Sequence, residues 1–375
     1  MQPESEKMLT PYSLERIITA VTPRLDPTMI CRDNLNTILR IARFLPHWQC
    51  TGFECRLGNP EPYVDFGVHL RCEDWMANNS AVIANAKTID AVSRDVWWRL
   101  HRFARVWAQT QSLLSQAISA ISLEFDVHRP QPALVAPSVF FSIHPGPRGP
   151  EVPASYDAVD ICSKVVRALL EVLLDHVSDS VLSKLEECFK VVLQKVPFLQ
   201  FGVWLTRPTD RFRICAPGIP LVEVQCIVNA LQWEGPADAF QSYWSELLEF
   251  GDKGCLHLDI GKVVSAKLGI EVPLDDRDGT ESTSFCDYLV QRKLCLPEKR
   301  DAILFWVGGF RLSGHGGASC GEETPIFLRR ISHVKLIYEP GEAPTAKAYL
   351  TVGRAWSGLA APQHDYERRE LRHIP

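Results

Sequence analysis

Apolar and polar residues alternate strictly in five pairs of short segments. They are GFECRL with YVDFGVHLRC, ISLEFDV with SVFFSI, LQFGVWLT with RFRICA, CLHLDI with AKLGIEVPL, and HVKLIY with AKAYLTV. A period of two sends successive side chains to opposite faces of a strand. The connections GNPEP, TRPTD and EPGEAPT supply the proline and glycine of tight turns, so each pair predicts a hairpin. Helical periodicity fills the gaps, almost always as two helices. Residues 10–45 break near Pro23 to Pro27, residues 157–195 at Ser178, residues 220–250 at Gly235-Pro236 and residues 283–306 at Pro297. Between about Ala84 and Ser119, Val92, Leu100, Phe103, Val106, Leu113 and Leu114 form an amphipathic set, and Trp97, Trp98 and Trp107 fit its buried face. Five helix-helix-strand-strand units predict an α+β fold. It is a closed barrel of ten antiparallel strands with helices outside, as one domain over residues 1–355 followed by a polar tail, 356–375.

A barrel coated by helices must be apolar outside, so the polar side of each strand faces a lumen. That assignment turns Glu54, Arg56, Asp65, His69 and Arg71 inward, then Ser122, Glu124 and Asp126, then Arg213, His257 and Asp259. The later strands add Lys267, Glu271, His333, Lys335, Lys347, Tyr349 and Thr351. The competing arrangement, an open sheet with helices on one face and water on the other, gives the same alternation. Helices placed between every hairpin favour closure. Enclosed charges interact through a lower effective dielectric than surface charges, so they call for partners or a ligand.

Composition narrows the function. A net charge of −5 and a pI near 6.1 give no electrostatic reason for a nucleic-acid partner. Twelve cysteines include no C-x-x-C pair and no zinc-ligand spacing, and read as reduced, buried thiols. No signal peptide and no membrane-spanning apolar run is present, so a cytoplasmic protein without a membrane partner is expected.

This pattern of elements resembles the aromatic prenyltransferases of the ABBA type (the PT barrel), whose ten strands come likewise from five repeats of paired strands inside a ring of helices. The resemblance spans nearly the whole chain. It implies an allylic diphosphate held by inward Lys, Arg and Tyr side chains, and an early inward Glu that binds the acceptor and takes up its proton. Glu54 in GFEC is similar to that Glu. Arg213, Lys267, Lys335, Lys347 and Tyr349 resemble the diphosphate cradle, with Lys347 and Tyr349 in AKAYL the nearest match because Lys-x-Tyr shares one strand face. Phe140, Trp204 and Tyr349 are the aromatic faces available to a carbocation. The resemblance implies no required metal, with Mg allowed. It departs at SVFFSI, which carries no cation, and at the first return strand, which offers His69 and Arg71. The expected partners are an allylic diphosphate and an aromatic or peptide acceptor.

Two alternatives belong to other classes: a non-catalytic barrel holding a peptide or small molecule in a biosynthetic pathway, and an acid/base cyclase using lumen carboxylates and histidines. For the latter, His257 and Asp259 form a same-face pair, and Glu54 has Arg56 or Arg71 as alternative partners. The glycine-rich stretch VGGFRLSGHGGASCGEE lacks the Lys-Ser/Thr of a P-loop and reads as a loop before the last hairpin, with His315 and Cys320 as a remote nucleophile pair.

Overall fold

Ser13 accepts the Arg16 amide hydrogen and starts the first helix, α1 (Leu14–Val21); one 3-10 turn at Thr22–Arg24 then separates it from α2 (Arg32–Phe44). The first hairpin follows as β1 (Cys50–Arg56) and β2 (Val64–Leu70). In this computed structural model the described residues are 12–85, 90–127, 136–145, 157–206, 209–274, 280–312 and 326–355. The tail 356–375, and His315 and Cys320, lie outside them.

The second unit is α3 (Cys72–Asn85), α4 (Ala91–Trp107), the short α5 (Leu113–Ala117), β3 (Ile118–Phe125) and β4 (Ser138–Ile143). Asp90 and Ser112 cap α4 and α5 through amide hydrogens three residues on, satisfying groups that a helix start leaves open. The third unit is α6 (Ala158–Leu173), α7 (Asp179–Val192), β5 (Leu199–Val203) and β6 (Phe212–Pro220), and α7 begins immediately after Ser178 as expected. The fourth is α8 (Val224–Ala230), α9 (Ala237–Leu247), β7 (Lys253–Ile260) and β8 (Val264–Pro273). The fifth holds α10 (Thr280–Gln291), α11 (Pro297–Trp306) with Pro297 in its first turn, β9 (Gly308–Arg311), β10 (Ile326–Tyr338) and β11 (Thr345–Ala355).

Strands β1 to β8, β10 and β11 pair antiparallel in chain order, and β11 returns to β1 with Tyr349 opposite Glu54, so ten strands close the barrel. The outward side chains are the apolar set of the alternation. Phe53, Cys55, Phe66, Phe125 and Phe141 are wholly buried beneath the helices. Trp306 of α11 meets Phe53 edge-on at 5.8 Å between ring centres, and Trp97 of α4 stacks on Phe125 at 6.4 Å. Each such side chain contributes about 1.5–3 kcal/mol by leaving water, and the buried Trp107 indole also donates to the Ile118 carbonyl at 2.9 Å.

Three expectations change. The stretch read as a loop contributes a strand: β9 pairs with the early part of β10 outside the closed ring, and β10 starts at Ile326, seven residues before HVKLIY. Among the described residues the sheet therefore has eleven strands. Helix α3 precedes the segment from which a helix was expected. Val92 and Trp98 are exposed (69% and 47%), because the buried stripe of α4 runs through Val96, Trp97, Leu100, Phe103, Ala104 and Trp107.

Candidate functional site

The polar strand faces meet inside the barrel, around two chambers. The first, about 410 Å³, is lined by the ends of strands near Cys50, His69, Gln200 and Gly254 and has Phe140 and Pro217 in its wall. The second, about 700 Å³, lies toward the opposite mouth and is lined by Arg56, Asp126, Trp204, Arg213, Asp259 and Lys347. Glu54, Asp65, Glu124, His257 and Lys335 border both, forming a charged waist between an apolar and a polar space. Both volumes lie in the range of small-molecule pockets.

Glu54 is central to the waist. On the facing strand β11, Lys347 donates to one carboxylate oxygen and Tyr349 to the other. Burial alone would raise this carboxyl, but the ammonium groups of Lys347 and Lys335 and the two hydrogen bonds outweigh it and bring the pKa down to about 2. Glu54 is therefore ionised at every ordinary pH. Burial and the Glu54 charge hold the Tyr349 hydroxyl well above its usual range, so it remains a donor, and the His333 ring stacks on the Tyr349 ring with centres 4.0 Å apart. Of the two arginines considered for Glu54, Arg56 faces Asp65 at 3.3 Å, and Arg71 follows the end of β2, half exposed and 4.0 Å from Glu73, outside the lining of either chamber.

The other inward cations are engaged as well. Arg213 makes a two-point bond to Asp259, at 2.7 and 2.9 Å, with its guanidinium 4.9 Å above the Trp204 ring. Burial opposes the Arg213 charge, and the Asp259 hydrogen bonds restore it. Asp259 thus serves Arg213 and is not the acid/base partner of His257. Lys335, almost fully buried, donates to His257 Nδ1 at 2.7 Å and lies 3.6 Å from Glu271. Lys267 is at the mouth of the polar chamber, 40% exposed, and pairs with Glu339 at 2.8 Å, so the charge expected deep in the cradle is held at the rim. Glu339 comes just after β10, where strand alternation carries no information. Among the residues proposed to bind substrate, Arg213, Lys335, Lys347 and Tyr349 come together around the waist and its chambers, Lys267 lines the polar chamber at its rim, and Arg71 lines neither chamber. Phe140 stands in the apolar wall, where Gly202 makes room: a Cβ there would come within 2.5 Å of the Phe140 ring.

Two features escaped the sequence. One is a chain of contacts in which Cys215 Sγ lies 3.2 Å from His257 Nδ1, and His257 Nε2 and His333 Nε2 lie 2.8 and 3.4 Å from Glu271 Oε1. Burial, with help from Lys335, outweighs Glu271 and lowers the His257 pKa to about 4, keeping the ring neutral. Burial also pushes the Cys215 thiol far up, which leaves it a poor nucleophile. Cys255, His257 and Glu271 bring ligand atoms within 4.8 Å of one another, the donor set closest to a metal site among the described residues. Lys335 opposes that use, since it occupies His257 Nδ1, places the ring proton on Nε2, and competes for Glu271.

The second feature is the isolation of Glu124. This residue stands on β3 opposite Gly67 and Ser138, at the border of both chambers, with no cation on either neighbouring position. Burial and the nearby Glu54 charge raise its pKa to about 8 against the pull of Lys335, Arg213 and Lys347. Alternation placed it inward; the pairing of those cations with other carboxylates, which isolates it, is a property of the closed barrel.

Comparison with known proteins follows the architecture. No protein-family model and no curated protein matches the chain. Solved structures do. The prenyltransferase PriB in its apo form superposes with a TM-score of 0.56 at 12% identity, over 91% of this chain and 96% of its own. 5-Dimethylallyltryptophan synthase from Streptomyces coelicolor gives 0.51 at 13% identity, over 91% and 98%. AnaPT from Neosartorya fischeri gives 0.50 at 12%, over 92% and 91%. PriB is also known as a ternary complex with L-tryptophan and dimethylallyl thiolodiphosphate. At such identities the likeness establishes the fold, and no helix among the described residues is long and apolar enough to cross a membrane.

Proposed function

We propose that this chain, built on the ABBA-type prenyltransferase barrel, moves an isoprenoid from an allylic diphosphate to an aromatic or electron-rich group of a small molecule or peptide. The observation that carries the reading is the waist: an ionised glutamate, a tyrosine and two lysines stand where a polar chamber meets an apolar one. An allylic diphosphate is itself divided this way, with a polyanionic head and a hydrocarbon tail that joins it at the reacting carbon.

In this reading the diphosphate occupies the polar chamber and takes Lys347, Lys335 and Arg213 as partners in exchange for Glu54, Glu271 and Asp259. Phosphate oxygens carry more charge than a carboxylate and accept bonds from several donors at once. Breaking the C–O bond leaves its electron pair on the diphosphate and an allylic cation at the waist, near the faces of Tyr349, Phe140 and Trp204. Fixed lysine and arginine charges do the work often given to a metal ion. Glu54, exchanging Lys347 for the acceptor, accepts an N–H or O–H of the aromatic group and orients it.

Incubation with dimethylallyl or geranyl diphosphate and a panel of indoles, phenols and aromatic peptides, followed by mass spectrometry, tests this. The expected result is a product heavier by one prenyl group, formed 10²–10⁴-fold more slowly by Glu54→Gln. No product with any allylic diphosphate would remove the reading.

A second reading has its own support. Each of the cations Arg56, Arg213, Lys267, Lys335 and Lys347 already has a carboxylate within ion-pair distance. A lumen so neutralised also suits acid/base chemistry, such as cyclisation, on a substrate without phosphate. Two carboxyl groups with environments pushed apart are what such chemistry requires.

A further inference from the structure

We propose that Glu124 is a catalytic residue: it gives a proton to the departing diphosphate and recovers one from the prenylated acceptor. This rests on the prenyl-transfer reading and adds to it a group that enters the reaction uncharged. A polyanion entering this lumen meets cations that must first leave carboxylates, so a neutral donor already present at the waist is of particular value.

Glu124 has the required position. It borders the polar chamber, where the phosphates would lie, and the apolar chamber, where the acceptor would lie. Its flanking partners on β2 and β4 are Gly67 and Ser138, which leave its carboxyl facing the space without a competing charge beside it. The ionisable groups sharing its surroundings include Glu54 and Arg56 from β1, Asp65 and His69 from β2, Asp126 just after its own β3, Arg213 and Cys215 from β6, His257 and Asp259 from β7, Lys267 and Glu271 from β8, His333 and Lys335 from β10, and Lys347 and Tyr349 from β11. Those nearest in effect are Glu54, which repels its charge, and Lys335, Arg213 and Lys347, each held by another carboxylate. A carboxyl in that setting keeps its proton at neutral pH.

The step balances. The allylic C–O bond breaks and its electron pair stays on the bridging oxygen, which takes the Glu124 proton. The acceptor's π electrons form the new C–C bond, and the ring proton lost on rearomatisation passes to the Glu124 carboxylate. The residue ends as it began, and the diphosphate leaves with one added proton. Glu54, ionised and weakly basic, orients the acceptor throughout.

Two measurements test the proposal. Infrared difference spectroscopy of the intact protein between pH 6 and 10 should show a protonated-carboxyl stretch that disappears with a midpoint near 8 and is missing from Glu124→Gln. Steady-state kinetics should then show kcat reduced about 10²–10³-fold in Glu124→Gln, with binding of dimethylallyl thiolodiphosphate unchanged and the decline of wild-type kcat above pH 8 abolished. Glu124→Asp, which keeps a carboxyl, should recover part of the rate, and circular dichroism establishes that each variant is folded. Ordinary turnover by folded Glu124→Gln, or a band that survives that substitution, overturns the role of Glu124 while leaving prenyl transfer intact. Absence of transfer by the wild-type chain overturns both, and persistence of the band then assigns the proton to other chemistry.

Discussion

Glu54 and Glu124 are the same residue type, on strands separated only by β2, bordering the same two chambers, yet their carboxyl groups are driven to about 2 and about 8. Glu54 is buried and Glu124 only partly so, so burial does not explain why the Glu124 value is the higher. The difference lies in the walls. The wall built from β10, β11 and β1 carries Lys335, Lys347 and Tyr349 next to Glu54, whereas β2 and β4 offer Glu124 a glycine and a serine. Opposite protonation states therefore arise from cross-strand neighbours in one continuous sheet, and any account of the lumen's chemistry has to treat the two walls separately.

The sharpest way to break the comparison is to remove a cation from the first wall. Lys347→Ala leaves Glu54 with its charge and without its closest counter-ion, and losing one partner of a buried ion pair costs about 3–5 kcal/mol; urea unfolding should show a loss of that size, with Glu54→Gln in the same background restoring part of it. Overfilling the other wall should cost less. Gly202→Ala drives a methyl group into the Phe140 ring, and about 1–3 kcal/mol should be lost together with space in the apolar chamber.

Acidity separates the walls in opposite directions. Glu54 has a folded pKa below the ordinary 4.5, so its stabilisation is complete above that value and is lost as pH falls toward 2. Glu124 has a folded pKa above 4.5, so its contribution is complete below that value and is lost as pH rises toward 8. Melting temperatures of Glu124→Gln should therefore gain on wild type between pH 5 and 9, and those of Glu54→Gln should approach wild type as pH drops below 4. A Glu124→Gln difference that stays constant across that span would contradict the contrast. The smallest effect belongs outside the barrel, where Trp98→Ser on the exposed face of α4 should change stability by less than about 0.5 kcal/mol.

Much of this was readable in the chain. A slip of one residue moves every side chain of a strand to the other face, so alternation put Glu54, Glu124, Arg213, Lys335 and Tyr349 on the inward face, and turn residues marked three of the five hairpins. What alternation does not contain is the pairing of a finished barrel. Glu54 meets Lys347 and Tyr349 only because β11, almost three hundred residues later, closes on β1. Lys267 shares its strand face with Glu271, yet it sits near a mouth where Glu339 can reach it. β9 was missed because Gly308 and Gly309 weaken the pattern and four residues are too few to show a period. Val92 was misplaced on α4 because its angular position on the helix is close to the stripe but faces water.

The central claim is that the waist and polar chamber receive an allylic diphosphate, and calorimetric titration of the wild-type chain with geranyl thiolodiphosphate measures it directly. Binding is expected to be saturable and one-to-one, and to weaken at least about tenfold in both Arg213→Ala and Lys347→Met. Heat changes no larger than dilution, at any pH where the protein is folded, would contradict it.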